Sequence, residues 1–167
     1  MRLFIGVNFD QITKQKISQA ADILKAKGVK GNFTNQNNYH ITLLFLGQSD
    51  DYQTSAAKKA ITQIKKDPFD IKLQNISNFG KNIIYLNVTD SVILQDINQY
   101  LFDTLKKDFL LEDNRFSPHI TLVRKPNLIP QDVDISPFDF TVSEIALMQS
   151  IRIEGELIYK PIFSHKL

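Results

Sequence analysis

Cysteine is absent from this 167-residue chain. Its absence excludes disulfide bonds, thiolate nucleophiles and cysteine-based metal sites. Long apolar runs are absent too: Asp10 ends the opening stretch, which is too short for a secretory signal or a membrane span and predicts a strand. Neither charge sign dominates, with 20 Lys and Arg against 18 Asp and Glu, so net charge alone does not indicate a nucleic-acid partner. We expect a cytoplasmic monomer with no membrane contact and no obligate protein partner.

Short strand and helix patterns follow one another in mixed order, with no linker and no low-complexity segment. Strands are expected over 3–8, 39–46, 69–76, 83–88, 116–123, 138–148 and 151–163, and a loop over 125–137. This order is not a regular alternation of strand and helix, so it predicts an α+β fold with antiparallel sheet in one domain.

Three amphipathic helices complete the pattern. Asp10 and Gly28 are expected to cap the first helix, whose lysines, Lys14 among them, lie on the wet side while Ile12 and others form the apolar side. The second helix spans 51–66 and has an expected apolar face of Tyr52, Ala56, Ala60 and Ile64. The third begins after Asp90 or Ser91, with the apolar face Leu94, Ile97, Leu101 and Leu105.

Histidine is scarce, and its placement is the most informative feature. Only three histidines occur, and two of them, His40 and His119, begin the same tetrapeptide, His-Ile-Thr-Leu, close to half a chain length apart. A single copy is most often an ordinary strand segment. A second copy is a poor coincidence and favours two structurally related halves.

Strand geometry indicates what the tetrapeptide presents. Because side chains alternate along a strand, His40 and Thr42 point together, while Ile41, Leu43 and Phe45 point to the opposite face. The second copy repeats this arrangement. We therefore expect Phe45 in the core, with base stacking as the minor alternative, and two imidazoles and two hydroxyls in one cleft.

That set of groups suits a phosphodiester. One imidazole can be neutral and accept a proton from water while the other is protonated and donates to the leaving oxygen. The Thr42 and Thr121 hydroxyls can donate to the phosphate oxygens. A zinc site is disfavoured because cysteine, the H-E-x-x-H motif and a neighbouring carboxylate are all missing, so we expect no metal and no cofactor.

The two extended motifs resemble those of a known family. Residues 38–47, Asn-Tyr-His-Ile-Thr-Leu-Leu-Phe-Leu-Gly, and residues 116–124, Phe-Ser-Pro-His-Ile-Thr-Leu-Val-Arg, are similar to the paired His-x-Thr-x motifs of the 2H phosphoesterases. Within that class the chain looks like the bacterial and archaeal RNA 2′,3′-cyclic phosphodiesterases, historically called 2′-5′ RNA ligases. The resemblance implies two pseudo-symmetric lobes over 1–167, with two antiparallel sheets lining a central cleft and helices packed outside.

The resemblance also implies an activity: opening of a 2′,3′-cyclic phosphate at the end of RNA, or of a nucleotide, to a 2′-phosphate. Carried over by position, His40 is the proton donor and His119 the proton acceptor, although the residues themselves leave the two interchangeable. Two segments depart from the family pattern. Residues 33–37 replace its usual Trp and prolines, and residues 78–81 lack its Pro, which bears on substrate preference.

Other residues and functions remain open at this point. Arg124 lies on the opposite parity from His119 in a regular strand, and contact with the phosphate and a surface ion pair are equally good interpretations. His165 has no Thr partner and is expected at the surface or in packing. The alternative functions are a phosphodiesterase for small cyclic nucleotides or ADP-ribose derivatives, a 2′-5′ RNA ligase, and a non-catalytic RNA-binding module. Against the RNA-binding module, the sequence contains no recognisable RNA-binding motif.

Overall fold

The computed structural model describes residues 1–167 and contains three α-helices and nine strands. The helices are α1 (Gln11–Ala26), α2 (Asp51–Thr62) and α3 (Val92–Leu105). The strands are β1 (Arg2–Asn8), β2 (Asn32–Phe33), β3 (His40–Gln48), β4 (Phe69–Phe79), β5 (Ile83–Thr89), β6 (His119–Arg124), β7 (Phe138–Val142), β8 (Glu144–Ile153) and β9 (Glu156–Lys166). A 3₁₀ turn, Gln36–Asn38, leads into β3. None of the helices has the length and apolar character needed to cross a membrane.

Two antiparallel sheets organise the fold, which confirms the predicted class. The first has the strand order β3-β1-β8-β9, and the second has the order β2-β6-β5-β4-β7. Apart from the short β2, the two orders correspond strand for strand, with β3 matching β6. Each His-Ile-Thr-Leu strand therefore occupies the same place in its own sheet.

The main hydrophobic core has 36 buried residues and draws on both sheets. Helix α3 packs on β3, and α2 packs on β8 and β9. The predicted apolar face of α3 is confirmed, since Leu94, Ile97, Leu101 and Leu105 are all buried. The strand expected over 138–148 is interrupted at Ser143, because β7 belongs to the second sheet and β8 to the first.

Several details of the first two helices differ from the prediction. Asp10 caps α1 as expected, with its carboxylate accepting from the Thr13 amide at 2.7 Å, but the C-cap is Lys27 rather than Gly28. Ile12 is 69% exposed, so it lies outside the apolar face. Lys14 is buried rather than wet, because its ammonium reaches the Asn37 carbonyl at 3.0 Å.

Helix α2 buries a face that overlaps only partly with the predicted one: Ala60 is buried and Ala56 packs against the core, as expected, but Tyr52 is not. Tyr52 is 69% exposed, while the buried side chains are Thr54, Ala57, Ala60 and Ile61. The helix also ends at Thr62, so Ile64 is buried from the loop that follows. Residues spaced exactly four apart drift around a helix of 3.6 residues per turn, whereas the mixed spacing of three and four keeps to one side.

A β-bulge lies at the same position in both motif strands. Leu43 has no partner on β1, because Leu44 pairs with Ile5 and Thr42 pairs with Gly6. On β6 the corresponding extra residue is Leu122, between the pairs of Val123 with Ile84 and of Thr121 with Tyr85. A bulge shifts the alternation of side chains by one residue. Residues beyond each bulge therefore face the opposite way from a regular strand.

The backbone carbonyl of the extra residue in each bulge accepts a hydrogen bond from a group that belongs to neither of the two strands that pair there. The buried Asn98 side chain of α3 donates from Nδ2 to the Leu43 carbonyl at 2.8 Å. The Thr34 backbone N–H donates to the Leu122 carbonyl at 2.9 Å. Gly6 permits the close approach of β1 to the first bulge, since a Cβ there would lie 2.5 Å from the Ile41 carbonyl oxygen.

Candidate active site

His40 and His119 are oriented by the same backbone contact. The Nδ1 atom of His40 lies 2.6 Å from the Asn38 carbonyl, and that of His119 lies 2.7 Å from the Ser117 carbonyl. A carbonyl oxygen only accepts, so Nδ1 carries the proton in both rings. The neutral form of each imidazole therefore has its lone pair on Nε2, the atom that a base uses to take a proton.

Two aromatic rings flank each imidazole. The His40 ring lies 4.8 Å from the rings of Phe4 and Tyr159, centroid to centroid. The His119 ring lies 5.0 Å from Phe79 and 5.3 Å from Tyr85. These contacts pack against each imidazole and limit its rotation. The two sites are thus built alike from unrelated sequence segments.

Burial lowers the pKa of both histidines. It lowers the pKa of the more deeply buried His40 to about 4, with smaller contributions in the same direction from His119, Arg124 and Lys14. Burial is also the main reason that the pKa of His119 is lowered, with Arg124 adding to it. Both imidazoles are therefore mainly neutral at pH 7 when no anion is bound.

The two threonines face the cleft as strand parity predicts. Thr42 lies beside its own histidine, with Oγ1 at 3.0 Å from His40 Nε2, so its hydroxyl donates to the neutral ring. Thr121 lines a cavity of about 430 Å³ that also contains His40. Thr42 in turn borders a cavity of about 420 Å³ that contains His119. Each motif therefore opens onto the space of the other.

Phe45 and Arg124 both lie in the cleft, which corrects the expectation that Phe45 is a core residue. Phe45 is 50% exposed, and Arg124, whose role the sequence left open, shares its cavity. Both stand two residues beyond a bulge, so the bulges bring them to the same side as the histidines. Arg124 has no carboxylate partner, so the surface ion pair is not formed.

The largest of the cavities that border His40 contains groups that sequence analysis did not identify as binding residues. It has a volume of about 770 Å³, and its wall includes Arg2, Gln48, Ser150, Arg152 and Tyr159. Arg2 and Arg152 come from strands far apart in sequence, and only the pairing of β1 with β8 brings their strands together. The sequence offered one signal for these groups: Arg2 stands at the start of the first expected strand.

The turn that precedes β3 is held by two buried polar side chains. Asn38 donates from Nδ2 to the Leu157 carbonyl at 2.7 Å and accepts from the Tyr159 amide at 3.1 Å. Lys14 donates to the neighbouring Asn37 carbonyl, and burial lowers its pKa. Because the Asn38 carbonyl accepts from His40, these contacts fix the position of the catalytic candidate from behind.

No cluster of three or more His, Asp or Glu side chains suited to a metal ion occurs in the protein. His165 lies away from the cleft on β9, with Nε2 at 3.4 Å from the Ile64 carbonyl, in agreement with a packing position. Residues 33–35, part of the segment 33–37 that departs from the family pattern, line the cavity that contains His40 and Thr121. The departure therefore lies within reach of a ligand.

Curated proteins of similar sequence cover nearly the whole chain. An RNA 2′,3′-cyclic phosphodiesterase of Archaeoglobus fulgidus is 26% identical, and the alignment covers 97% of this chain and 98% of that protein. An RNA 2′,3′-cyclic phosphodiesterase of Bacillus subtilis is 29% identical over 90% of this chain and 91% of its own length.

Solved structures and a family model agree with these relatives. The crystal structure of E. coli LigT complexed with NADP+ has a TM-score of 0.84 at 21% identity, and the match covers 99% of this chain and 97% of that one. At that identity the likeness shows the fold alone. The family model described as the 2′-5′ RNA ligase superfamily matches residues 13–154, which include both histidine motifs. The chain thus belongs to the 2′-5′ RNA ligase superfamily, as the resemblance of its motifs implied.

Proposed function

We propose that this protein hydrolyses RNA 2′,3′-cyclic phosphate ends to 2′-phosphomonoesters by acid–base catalysis with two histidines. The observation that carries the proposal is the matched pair of imidazoles, each with Nδ1 fixed by a carbonyl, so that Nε2 is the atom that exchanges protons. The names of the relatives support the substrate, since several are RNA 2′,3′-cyclic phosphodiesterases.

The proposed reaction is a single displacement at phosphorus. His119 Nε2 accepts a proton from water as the water oxygen forms a bond to phosphorus. The bond from phosphorus to the 3′ oxygen breaks, and the electron pair leaves with that oxygen, which takes a proton from His40 Nε2. Thr42, Thr121 and Arg124 donate to the non-bridging oxygens, where negative charge increases in the transition state.

The low pKa of His40 sets a condition on this assignment. With a pKa of about 4 in the free protein, His40 carries little positive charge at pH 7. The positive charge of Arg124 contributes to that low pKa. A bound anionic phosphate offsets the charge of Arg124. We therefore propose that substrate binding raises the pKa of His40 and so prepares the proton donor.

The direct test is hydrolysis of adenosine 2′,3′-cyclic phosphate to 2′-AMP in the presence of a chelator. His40→Ala and His119→Ala should each lower kcat by about 10²–10⁴-fold, the usual contribution of a general acid or base. His165→Ala is the matched control, because this imidazole lies outside the cleft, and it should retain wild-type turnover. Wild-type rates in either cleft variant would contradict the proposal.

The roles of donor and acceptor need a separate test. In an aryl phosphodiester, 4-nitrophenolate is stable enough to leave without being protonated. Hydrolysis of this substrate therefore does not need the general acid. His40→Ala should therefore lose much less activity on this substrate than on the cyclic phosphate, whereas His119→Ala should lose activity on both. The opposite pattern would exchange the roles of the two histidines.

A further inference from the structure

The cavity of about 770 Å³ that borders His40 has an unbalanced positive charge. Arg2, Arg124 and Arg152 all line it, and none of its lining residues is Asp or Glu. The ion pairs of this protein lie elsewhere, so these three guanidinium groups have no carboxylate partner. Three unpaired arginines around one concave surface favour a ligand with more than one negative charge.

One reacting phosphate accounts for only one of these arginines. Arg124 is the one close enough to the histidines for its charge to lower the pKa of both His40 and His119. Arg2 and Arg152 line the same cavity, but neither appears among the charges that shift those pKa values. Arg2 and Arg152 are thus available to a part of a ligand other than the reacting phosphate.

An aromatic surface lies next to this second pair of arginines. The Arg2 guanidinium stands over the Phe45 ring, with Cζ 5.1 Å from the ring centroid, and Phe45 remains 50% exposed. An exposed ring beside a guanidinium is a usual arrangement for stacking a base next to its phosphate. The cavity, at about 770 Å³, lies in the size range of nucleotide-scale ligands.

Arg152 is held in place by a tight turn. It lies at the end of β8, and its Nη1 donates to the Gly155 carbonyl at 3.0 Å. Glu154 and Gly155, at the turn, both have positive φ values, 51° and 84°, as expected for a two-residue hairpin turn. The guanidinium is therefore presented on a short hairpin rather than on a long loop.

We propose that Arg2 and Arg152, with Phe45, form a second subsite that binds the phosphodiester on the 5′ side of the terminal nucleotide. This inference rests on the proposed function, because it concerns the same cleft. It specifies the substrate class: a chain end with at least two phosphates, in preference to a mononucleoside cyclic phosphate.

The test compares two dinucleotides that differ only in charge. Both end in a 2′,3′-cyclic phosphate, but one has a normal phosphodiester between its nucleosides and the other an uncharged methylphosphonate. For the wild-type protein at low salt, kcat/KM should be at least tenfold higher for the charged dinucleotide. Arg2→Gln and Arg152→Gln should each reduce that ratio severalfold, and the double variant should bring it close to one.

Matched variants control for total charge and folding. Lys107→Gln removes one positive charge from an exposed position outside the cleft and should keep the wild-type ratio. Arg152→Lys preserves the positive charge and should keep most of the wild-type ratio of kcat/KM values. An equal rate on both dinucleotides in the wild-type protein, or an unchanged ratio in the double variant, would overturn the second subsite.

Failure of the proposed function has a different signature. If the wild-type protein hydrolyses none of the cyclic phosphates, the activity is wrong, and the subsite is then tested by binding alone. Calorimetric titration with the two dinucleotide 2′-phosphates, charged and uncharged in their linkage, gives the same comparison as a ratio of Kd values. A ratio near one there would reject the subsite as well.

Discussion

The burial of His40 makes a quantitative prediction about stability. Its pKa is lowered from 6.5 to about 4 in the folded protein, mainly by burial. Above pH 6.5 the ring is neutral in both the folded and the unfolded chain. As the pH falls below 6.5, the unfolded chain binds a proton at this position while the folded chain does not. The free energy of unfolding should therefore fall with decreasing pH until the folded pKa is passed.

The size of this effect follows from the difference in pKa. One pKa unit corresponds to about 1.4 kcal/mol, so the full contribution of His40 between pH 6.5 and pH 4 is about 3 kcal/mol. Over the range from pH 7.5 to pH 5, about 2 kcal/mol should be lost. Most carboxylates titrate below this range, so the loss can be assigned to imidazoles. His119, whose pKa is also lowered, should contribute in the same direction.

Urea unfolding at several pH values between 5 and 7.5, in buffers without phosphate, measures this dependence. His40→Gln removes the imidazole and should flatten the curve by most of the expected loss. If His40→Gln and the wild type have the same pH dependence, the ring is not desolvated in the folded state and the reasoning is wrong.

Further predictions concern the bulge and anion binding. Phe45→Ala should change the free energy of unfolding by less than about 1 kcal/mol, because the Phe45 side chain is half exposed. Leu43→Ala should lower it by about 2–5 kcal/mol, because Leu43 is buried. Urea unfolding measures both changes. Asn98→Asp places a carboxylate oxygen against the Leu43 carbonyl and should lower the free energy of unfolding by about 1–3 kcal/mol. A variant as stable as the wild-type protein would contradict the importance of this hydrogen bond. Affinity for 2′-AMP should rise as the pH falls from 7.5 to 5.5, because the anion favours protonated His40 and His119; an affinity that stays constant in calorimetry would contradict this.

The sequence predicted those parts of the site that depend on local pattern. Both histidines and both threonines face the cleft because alternation holds across the first three residues of each tetrapeptide. The buried face of α3 was predictable for a similar reason, since its apolar residues recur at mixed spacings of three and four. Lys14 was not, because its burial depends on a carbonyl that lies 23 residues further along the chain.

The arginines show what pattern alone could not supply. Arg2 and Arg152 belong to β1 and β8, and their common cavity exists only because those strands pair. No periodicity links two positions so far apart in sequence. The composition was misleading as well, since a net charge of +2 hides a cavity lined by three arginines and no carboxylate. Local concentration of charge, rather than the total, determines what a cleft attracts.

The two bulges explain how a symmetric motif can form an asymmetric site. Both occur at the Leu of the tetrapeptide, so both turn the residue five positions after the histidine into the cleft. That residue is Phe45 in one strand and Arg124 in the other. The strands thus present equal acid–base groups but different binding groups, one aromatic and one cationic. In the proposed reaction, the substrate has an aromatic base on one side of its reacting phosphate and charged oxygens on the phosphate itself. The difference between Phe45 and Arg124 would then give that substrate one preferred direction across the two histidines.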